Sequence, residues 1–259
     1  MDHELVGWDD PAARLHQALD KNELALFCQP VLALKGAQRY SFAEALVRLR
    51  EEEDALLPPG DFLPIFEHYG MMPQLDRWVV RELLGRLAKA SRIPRFSVNL
   101  ASQSLEDASF ASSLAAQISA SGLPGDALIF EIDEADTLVR LPAAEAFAEA
   151  IRPTGAGILI DGFGRRSVSF ASFKALKPDY VKVDGSIIRK ILSHPTAEAK
   201  LRTILRVGEV VGLEVIAECV EEQDVLLRLK ALGVDHAQGF GIYQPHAIDS
   251  LATVSRTEE

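Results

Sequence analysis

The chain has 259 residues, of which 48% are hydrophobic and 25% charged, a composition typical of a globular protein with a substantial core. Its 38 acidic and 27 basic residues give a net charge of −11, which argues against sequence-independent nucleic-acid binding but permits a small anionic ligand at a local positive site. The N-terminus has no basic-then-apolar signal pattern, and no run approaches the ~20 apolar residues of a membrane span. Together with only two cysteines, far apart in sequence, these features predict a cytoplasmic protein without membrane insertion.

Short apolar runs alternate with longer amphipathic ones along the chain. Asp10 as N-cap and Pro11 at the first helical position predict a first helix that runs to about Lys21. Further helices are predicted at 61–69, 73–90, 107–121, 196–211 and 222–232. The apolar runs, rich in β-branched and aromatic residues, predict strands buried on both faces at 24–31, 42–49, 96–100, 128–132, 157–161, 180–184, 215–218 and 237–240.

The order of these elements indicates the fold. Eight strands with intervening helices, without internal repeats or a low-complexity linker, predict one α/β domain over residues 1–259, built as a TIM-like (β/α)8 barrel. Only residues 33–40 connect the first two strands, which is too short for a helical crossover. The first strand is therefore expected to be antiparallel to its neighbour, so that the barrel is a variant of the regular fold.

Each predicted strand carries a polar residue where an apolar one would be easier to bury, and most of these lie near the C-terminal end, where barrel enzymes build their sites. The set is Gln29, Glu44, Asn99, Glu131, Asp161, Lys182, Glu218 and Gln238. Converging carboxylates repel one another unless a cation lies among them, and oxygen-only ligation suits Mg²⁺ or Mn²⁺. The alternative is an internal salt-bridge ring around Lys182 that contains no metal.

Other catalytic signatures are missing from the sequence. The six histidines do not have zinc-ligand spacing, and the chain has no G-x-x-x-x-G-K-[ST] loop or G-x-S-x-G elbow. Cys28 and Cys219 lie within apolar runs, which favours buried thiols over nucleophiles.

The polar residues belong to short motifs in a fixed order. These read QP at 29–30, FAEALVRL at 42–49, PGDFLPIFEHYG at 59–70, VNL at 98–100, EIDE at 131–134, KVD at 182–184, AECVE at 217–221 and QGF at 238–240, followed by Pro245. In this order they resemble the EAL family, the cyclic-di-GMP phosphodiesterase domains, over about residues 15–245. The resemblance implies a barrel that hydrolyses cyclic-di-GMP to linear pGpG with two metals, between which a water attacks phosphorus.

The resemblance also implies roles for individual residues. The first metal would be held by Glu44, Asn99, Glu131 and Asp161. The catalytic residues would be Lys182, Glu218 and Glu221, the first two positioning waters of the second metal. The nucleotide would be lined by Gln29, Leu46, Arg48, Asp184, Gln238 and Pro245, with the Arg48 guanidinium available to phosphate or guanine.

The pattern breaks in the loop after the fifth predicted strand, where the family's D-D-F-G-T-G-Y-S-S reads DGFGRRSVS at 161–169. Gly162 replaces an aspartate that would help to bind the second metal, and Arg165 and Arg166 replace threonine and glycine. Loss of one such preorganised element typically lowers the rate by ~10²–10³. We expect Arg165 and Arg166 to supply positive charge to a bound ligand. Two alternatives are that both point into solvent, and that Asp133 compensates for the lost carboxylate.

These observations predict a receptor domain that binds cyclic-di-GMP with impaired or absent hydrolysis. Ligand binding would require no metal, and an active enzyme would use Mg²⁺ or Mn²⁺, at one site rather than two. The alternatives are an active metal-dependent phosphodiesterase and a protein-interaction scaffold that binds no nucleotide. A homodimer and an unidentified protein partner are also expected.

Overall fold

Eight β-strands close into a barrel because the first strand pairs with both the second and the last. The computed structural model describes residues 8–36, 40–50, 55–89, 95–165 and 171–250. The barrel strands are β1 (Leu24–Ala33), β2 (Tyr40–Arg50), β4 (Phe96–Leu100), β5 (Leu128–Asp133), β6 (Gly157–Phe163), β7 (Tyr180–Val183), β8 (Glu214–Ala217) and β9 (His236–Ala237). Two-residue strands extend the sheet at β3 (Leu56–Leu57), beside β2, and at β10 (His246–Ala247), beside β1.

The strand β1 is antiparallel to both of its barrel neighbours, as the short connection predicted. In the β1–β2 hairpin Leu24 lies opposite Leu49, and Gln29 lies opposite Glu44. The remaining barrel pairs, from β2–β4 around to β8–β9, are parallel. The carboxyl ends of these parallel strands therefore share one end of the barrel, and the hairpin brings Gln29 to the same level as Glu44.

Helices surround the barrel. Their bounds are α1 (Pro11–Asp20), α2 (Pro59–His68), α3 (Met72–Leu87), α4 (Ser102–Glu106), α5 (Phe110–Ser121), α6 (Glu134–Val139), α7 (Leu141–Ile151), α8 (Ala171–Leu176), α9 (Gly185–Ile188), α10 (Pro195–Val211) and α11 (Gln223–Leu232). As predicted, Asp10 caps α1, its side chain accepting from the Ala13 N–H. Within the described ranges, no helix is both long and apolar enough to cross a bilayer.

The helices α4 and α6 to α9 were not predicted from the sequence. In α7 the buried residues Ala144, Phe147, Ala148 and Ile151 have helical spacing, but alanines give this pattern little contrast. The other four helices have four to six residues and present no full amphipathic repeat. Three predicted strands also end earlier than expected, so that Asp184, Glu218 and Gln238 lie just beyond their strands rather than within them.

The barrel interior consists of an apolar layer below a polar one. The apolar layer is a buried cluster of Val31, Phe42, Ile129, Leu159, Tyr180 and Ile216. Side chains two residues apart on a strand point to the same face. Two positions nearer the same end of the barrel as the carboxyl ends of the parallel strands lie Gln29, Glu44, Glu131, Asp161 and Lys182 on these strands, and Glu218 one residue beyond the end of β8. The apolar layer thus closes the barrel beneath a polar ring.

A second polar network lies at the opposite end of the barrel, around a cavity of about 460 Å³. The buried His236 lies between Ser41, whose Oγ is 2.8 Å from Nδ1, and Glu214, which contacts Nε2. Lys35 pairs with Asp235 at 2.6 Å. This is the end at which barrel residues commonly serve stability.

Asp76 on α3 fixes the turn that follows β4. Its buried Oδ2 accepts from the Ala101 N–H at 3.0 Å and from the Ser104 hydroxyl at 2.6 Å. These two bonds join α3 to α4 and to the residue before it, Ala101, which lies two positions after Asn99. The carboxylate therefore helps to position one side of the polar ring.

Replacing Asp76 with asparagine is expected to change how stability depends on pH. Burial raises the pKa of Asp76 from 3.8 to about 6, so between these values the folded chain holds a proton that the unfolded chain has lost. As the pH rises through this window, the wild-type free energy of unfolding should fall by about 3 kcal/mol relative to that of Asp76→Asn. Urea unfolding at a series of pH values measures this difference.

The Asp107→Asn variant is the control of opposite sign. Hydrogen bonds from Ser109 lower the pKa of Asp107, so its carboxylate stabilises the folded chain at neutral pH and loses this effect as the pH falls through the lowered pKa. A difference between wild type and Asp76→Asn that does not change from pH 4 to pH 7 would contradict the raised pKa of Asp76.

Candidate functional site

Lys182 lies at the centre of the polar ring. Its ammonium Nζ is 2.5 Å from Glu131 Oε2 and 3.1 Å from Glu44 Oε2, and its side chain is only 3% exposed. Burial acts to lower the pKa of Lys182, but Glu131, Glu44 and Asp161 together raise it well above its ordinary value. The amine is therefore protonated, and it is the cation that balances this group of carboxylates.

Glu44 is the most fully paired carboxylate of the ring. Its Oε1 accepts from Asn99 Nδ2 at 2.7 Å, and its Oε2 accepts from Gln238 Nε2 at 2.8 Å as well as from Lys182. Burial acts to raise the pKa of Glu44, but Lys182 and the two amide hydrogen bonds hold it below its ordinary value. Glu44 is thus ionised at neutral pH.

Two other carboxylates each have an unsatisfied oxygen. Glu131 Oε1 and Asp161 Oδ1 are buried and have no hydrogen-bond partner. Burial and the neighbouring Glu44 act to raise the pKa of Glu131, while Lys182 acts to lower it, and burial raises the pKa of Asp161. Leaving such acceptors unpaired is costly, and a hard cation is the partner that oxygen-only donors suit.

The donor chemistry therefore fits one divalent cation beside Glu131 and Asp161, although the cage is not preformed. Among the described residues, no three acidic, histidine or cysteine side chains converge closely enough to hold a metal. The Lys182 ammonium pairs with both Glu44 and Glu131 and is the cation that these two carboxylates share. The sequence left two alternatives open, a metal site and a metal-free salt-bridge ring around Lys182. Both are built from the same residues.

The ring opens into a cavity of about 210 Å³. Its lining residues are Gln29, Glu44, Arg189, Glu218, Cys219, Glu221, Gln238, Gly239 and Phe240. Five of them were predicted as site residues from four separate sequence motifs, and the cavity brings them together: Gln29, Glu44, Glu218, Glu221 and Gln238. Gln238 Nε2 donates to Gln29 Oε1 at 3.2 Å, and Gln29 Nε2 donates to the Tyr243 carbonyl at 2.8 Å, so both amides are held in place.

Glu218 is held by the start of α9. Its Oε1 accepts from the Gly185 N–H at 2.6 Å, and burial together with Asp161 raises its pKa. Glu221, the third predicted catalytic residue, is exposed at the rim, with Oε1 3.9 Å from Arg189 Nε. Glu218 thus faces the ring, whereas Glu221 borders its entrance.

Four lining residues were not predicted from the sequence as site residues: Arg189, Cys219, Gly239 and Phe240. Arg189 ends a four-residue helix and has no motif around it. Cys219 has a left-handed backbone (φ 56°), and a Cβ on Gly185 would lie 2.6 Å from its Sγ, so the two positions fit only with a glycine at 185. Phe240 is a 62% exposed aromatic side chain on the cavity wall, an exposure that is visible only in the structure.

Other predicted ligand residues lie farther along β2 and near β10. The Arg48 guanidinium lies over the Phe27 ring, 5.4 Å from its centroid, and donates to the Val47 carbonyl at 2.8 Å. Leu46 and Pro245 are both half-buried. None of these three lines the 210 Å³ cavity among the described residues. Their contact with a nucleotide stays a prediction.

The divergent loop after β6 is held by its own charges. Arg165 Nε donates to Asp184 Oδ2 at 2.6 Å, and Nη1 donates to Asp133 Oδ2 at 3.4 Å. The guanidinium is thus half-exposed but paired with two carboxylates, which differs from the alternative in which it points freely into solvent; its expected contact with a ligand stays a prediction. Arg166 lies outside the described residues. Glu134 Oε2 accepts from the Gly164 N–H at 2.9 Å and anchors the same loop.

Asp133 is already occupied by structural contacts. Its Oδ1 caps α6 by accepting from the N–H groups of Ala135 and Asp136, at 2.7 and 3.3 Å. Its Oδ2 faces Arg165. The suggestion that Asp133 replaces the lost loop carboxylate therefore requires both of these contacts to be given up.

Residues 12–245 match the family model of the EAL domain, and the chain belongs to this family. This confirms the resemblance and the barrel that it implied. The cyclic di-GMP phosphodiesterase PdeF of Escherichia coli K12 is 30% identical over 250 residues, which cover 95% of this chain and 33% of PdeF. This chain spans about a third of the length of the curated relatives that it matches.

Two solved structures resemble the barrel closely. The FimX EAL domain from Pseudomonas aeruginosa bound to c-di-GMP gives a TM-score of 0.85 at 29% identity, with 91% of this chain and 96% of that domain covered. The PaMucR phosphodiesterase in complex with c-di-GMP gives 0.84 at 27% identity, with 93% and 99% covered. The family therefore includes both a protein named as a phosphodiesterase and an EAL domain described only by its ligand.

Replacing Lys182 with methionine is expected to destabilise the fold by about 3–5 kcal/mol, because it leaves Glu44 and Glu131 buried without their cation. The two carboxylates can then avoid an unpaired charge only by holding protons in the folded state, so the variant loses further stability as the pH rises through neutrality. Adding Glu131→Gln should recover part of the loss. Urea unfolding at pH 6 and pH 8 in a chelator measures these effects.

Lys35→Met removes an exposed lysine from its pair with Asp235 and is the matched control, with an expected change of about 0–1 kcal/mol. An equal loss in Lys35→Met and Lys182→Met, or a Lys182→Met loss that does not grow with pH, would contradict the central place of Lys182.

Proposed function

We propose that this EAL domain is a receptor that binds cyclic-di-GMP and hydrolyses it slowly or not at all. One observation carries the proposal: Gly162 supplies no carboxylate at the position that would help to hold a second metal, and the nearby Asp133 and Asp184 are engaged by Arg165. The loss of one preorganised catalytic element lowers rates by ~10²–10³, whereas ligand binding does not require it.

The binding chemistry rests on residues that are already in place. The Gln29 and Gln238 amides are fixed by hydrogen bonds at the cavity wall, and the exposed Phe240 ring offers a stacking surface to a base. The dianionic ligand needs positive charge, for which Arg189 at the rim and Arg48 beyond it are available. Their guanidiniums would bind phosphate oxygens while the amides orient the nucleotide.

One divalent cation would fit beside these residues. Glu131 and Asp161 would hold it through their unpaired oxygens, with Glu44 and Asn99 close by. A bound Mg²⁺ or Mn²⁺ would polarise a phosphate oxygen and lower the pKa of a bound water. Lys182 would keep the remaining carboxylate charge balanced, and Glu218, fixed by Gly185, would orient a water at the ring.

An active phosphodiesterase is the second candidate. It is favoured by the presence of all four first-metal residues at one end of the barrel, with two unpaired oxygens among them. PdeF and PdeB, which are named as cyclic di-GMP phosphodiesterases, are 30% and 29% identical to this chain. The absence of a carboxylate at Gly162 argues against this candidate, since it removes part of the water-activating arrangement.

A receptor also needs a readout. The domain would report ligand binding through a protein partner or a second copy of itself, and it would do so as a cytoplasmic protein. The partner or second copy follows from the proposed receptor function. The location follows from the acidic sequence, in which no run is long and apolar enough to span a membrane, and both are part of the proposal.

Calorimetry and product analysis test the proposal together. In EDTA, we expect the purified chain to bind cyclic-di-GMP with micromolar or tighter affinity. With Mn²⁺ at high protein concentration, pGpG should form at least ~10²-fold more slowly than with an active EAL phosphodiesterase. Arg48→Ala should weaken binding by ~10-fold or more, because it removes a charged contact to phosphate.

Arg81→Ala, which removes an exposed arginine on α3, is the matched control and should leave the affinity unchanged. Rapid formation of pGpG by the wild-type chain would overturn the proposed receptor function and show that the domain is an active phosphodiesterase. Lack of binding both in EDTA and with Mn²⁺ would favour the scaffold without nucleotide.

A further inference from the structure

We infer that Arg165 is an internal cation that takes the place of a second metal ion, and that Gly162 is the residue that makes room for it. The inference rests on the proposed function and deepens it. It explains how the mouth of the barrel can keep positive charge near the ligand while losing the chemistry that a second metal would supply.

The first observation is steric. A Cβ added to Gly162 would lie 2.7 Å from Arg165 Nη2 and 3.2 Å from its Cζ. The same Cβ would lie 3.2 Å from Asp133 Oδ2. The end of the Arg165 side chain therefore lies in the space that a side chain at position 162 would use, so a larger residue there would require this guanidinium to move.

The second observation is electrostatic. Arg165 pairs with Asp184 at 2.6 Å and with Asp133 at 3.4 Å, and the Asp184 side chain is only 9% exposed. Burial acts to raise the pKa of Asp184, but hydrogen bonds from Ser186 and Arg165 hold it below its ordinary value. A cation is therefore already bound between two carboxylates of the loop region, supplied by the chain itself.

The third point is chemical. A guanidinium offers only N–H donors and has no lone pair for a metal, and it stays protonated at all working pH values. It offsets one of the two negative charges of Asp133 and Asp184 and can donate to a phosphate, but it cannot ligate a water and lower its pKa. Arg165 thus reduces the repulsion that Asp133 and Asp184 would exert on a dianionic ligand, and it keeps a second divalent ion from binding the same carboxylates.

The linkage predicts that restoring a carboxylate at position 162 is not sufficient. In Gly162→Asp the new carboxylate would meet the Arg165 guanidinium and pair with it, so a second ion would still be excluded. The left-handed backbone at Gly162 (φ 65°) is one that aspartate tolerates better than most residues, which favours a folded variant. Only Gly162→Asp combined with Arg165→Thr both supplies the carboxylate and removes the competing cation.

Titration with Mn²⁺ alone, by calorimetry and by electron paramagnetic resonance of the free ion, counts the bound metals. We expect wild type and Gly162→Asp to bind at most one Mn²⁺ per chain and the double variant to bind one more. The double variant should also form pGpG at least ~10²-fold faster than wild type, whereas Gly162→Asp should gain far less. Gly162→Asp with Arg202→Thr, which removes a remote surface arginine, is the matched control.

A second experiment does not depend on substituting Gly162. In EDTA, Arg165→Thr should bind cyclic-di-GMP ~10-fold more weakly than wild type, because Asp133 and Asp184 then repel the dianion. Adding Asp184→Asn, which can still cap α9, should restore most of the affinity. A merely structural role for Arg165 would not give this rescue.

The inference is overturned if Gly162→Asp alone binds a second Mn²⁺, or if the double variant binds no more than wild type. An unchanged affinity in Arg165→Thr would also overturn it. Rapid hydrolysis by the wild-type chain, in contrast, would reject the proposed receptor function, so the two failures can be told apart.

Discussion

The balance of charge around one buried ammonium group constrains the whole mouth of the barrel. Lys182 is nearly inaccessible, yet it holds Glu44 and Glu131 on opposite sides. Without a positive charge here, several carboxylates would face one another in a region that excludes water, at a cost of several kcal/mol. The positions of Asn99, Gln238 and Gln29 follow from this arrangement, since each amide connects to the next polar group of the ring.

The layering of the barrel makes such a ring possible. A floor of apolar side chains, among them Phe42 and Tyr180, closes the interior one step below the carboxylates. The floor supplies core stability, so the polar layer above it is free to keep unsatisfied oxygens such as Asp161 Oδ1. A rigid scaffold commonly presents a site in this way. A well-packed apolar layer supplies stability, and the polar layer above it keeps unfavourable electrostatic contacts that serve the site.

The end of β6 and the loop after it change both the charge and the free space at this end of the barrel. Gly162 stands where the family motif has an aspartate, and the Arg165 guanidinium lies in the space beside it. Asp133 and Asp184 both pair with this guanidinium. A site needs different chemical groups to bind an anion and to cleave it. Binding requires that the negative charge of Asp133 and Asp184 be offset, whereas cleavage requires a group that activates water, and Arg165 contributes only to the first.

The amino-acid sequence by itself determined the barrel, the antiparallel first strand and the ring of polar residues, because each of these is encoded in local periodicity, connection length or motif order. It also located the divergent loop at Gly162 and Arg165. Only the tertiary structure decided that Arg165 pairs with Asp184, nineteen positions later, that Asp133 caps a helix, and that Arg189 and Phe240 border the cavity. Periodicity fixes the face on which a side chain lies, but its partner is set by the distance between strands and loops remote in sequence, which exists only once the barrel has closed.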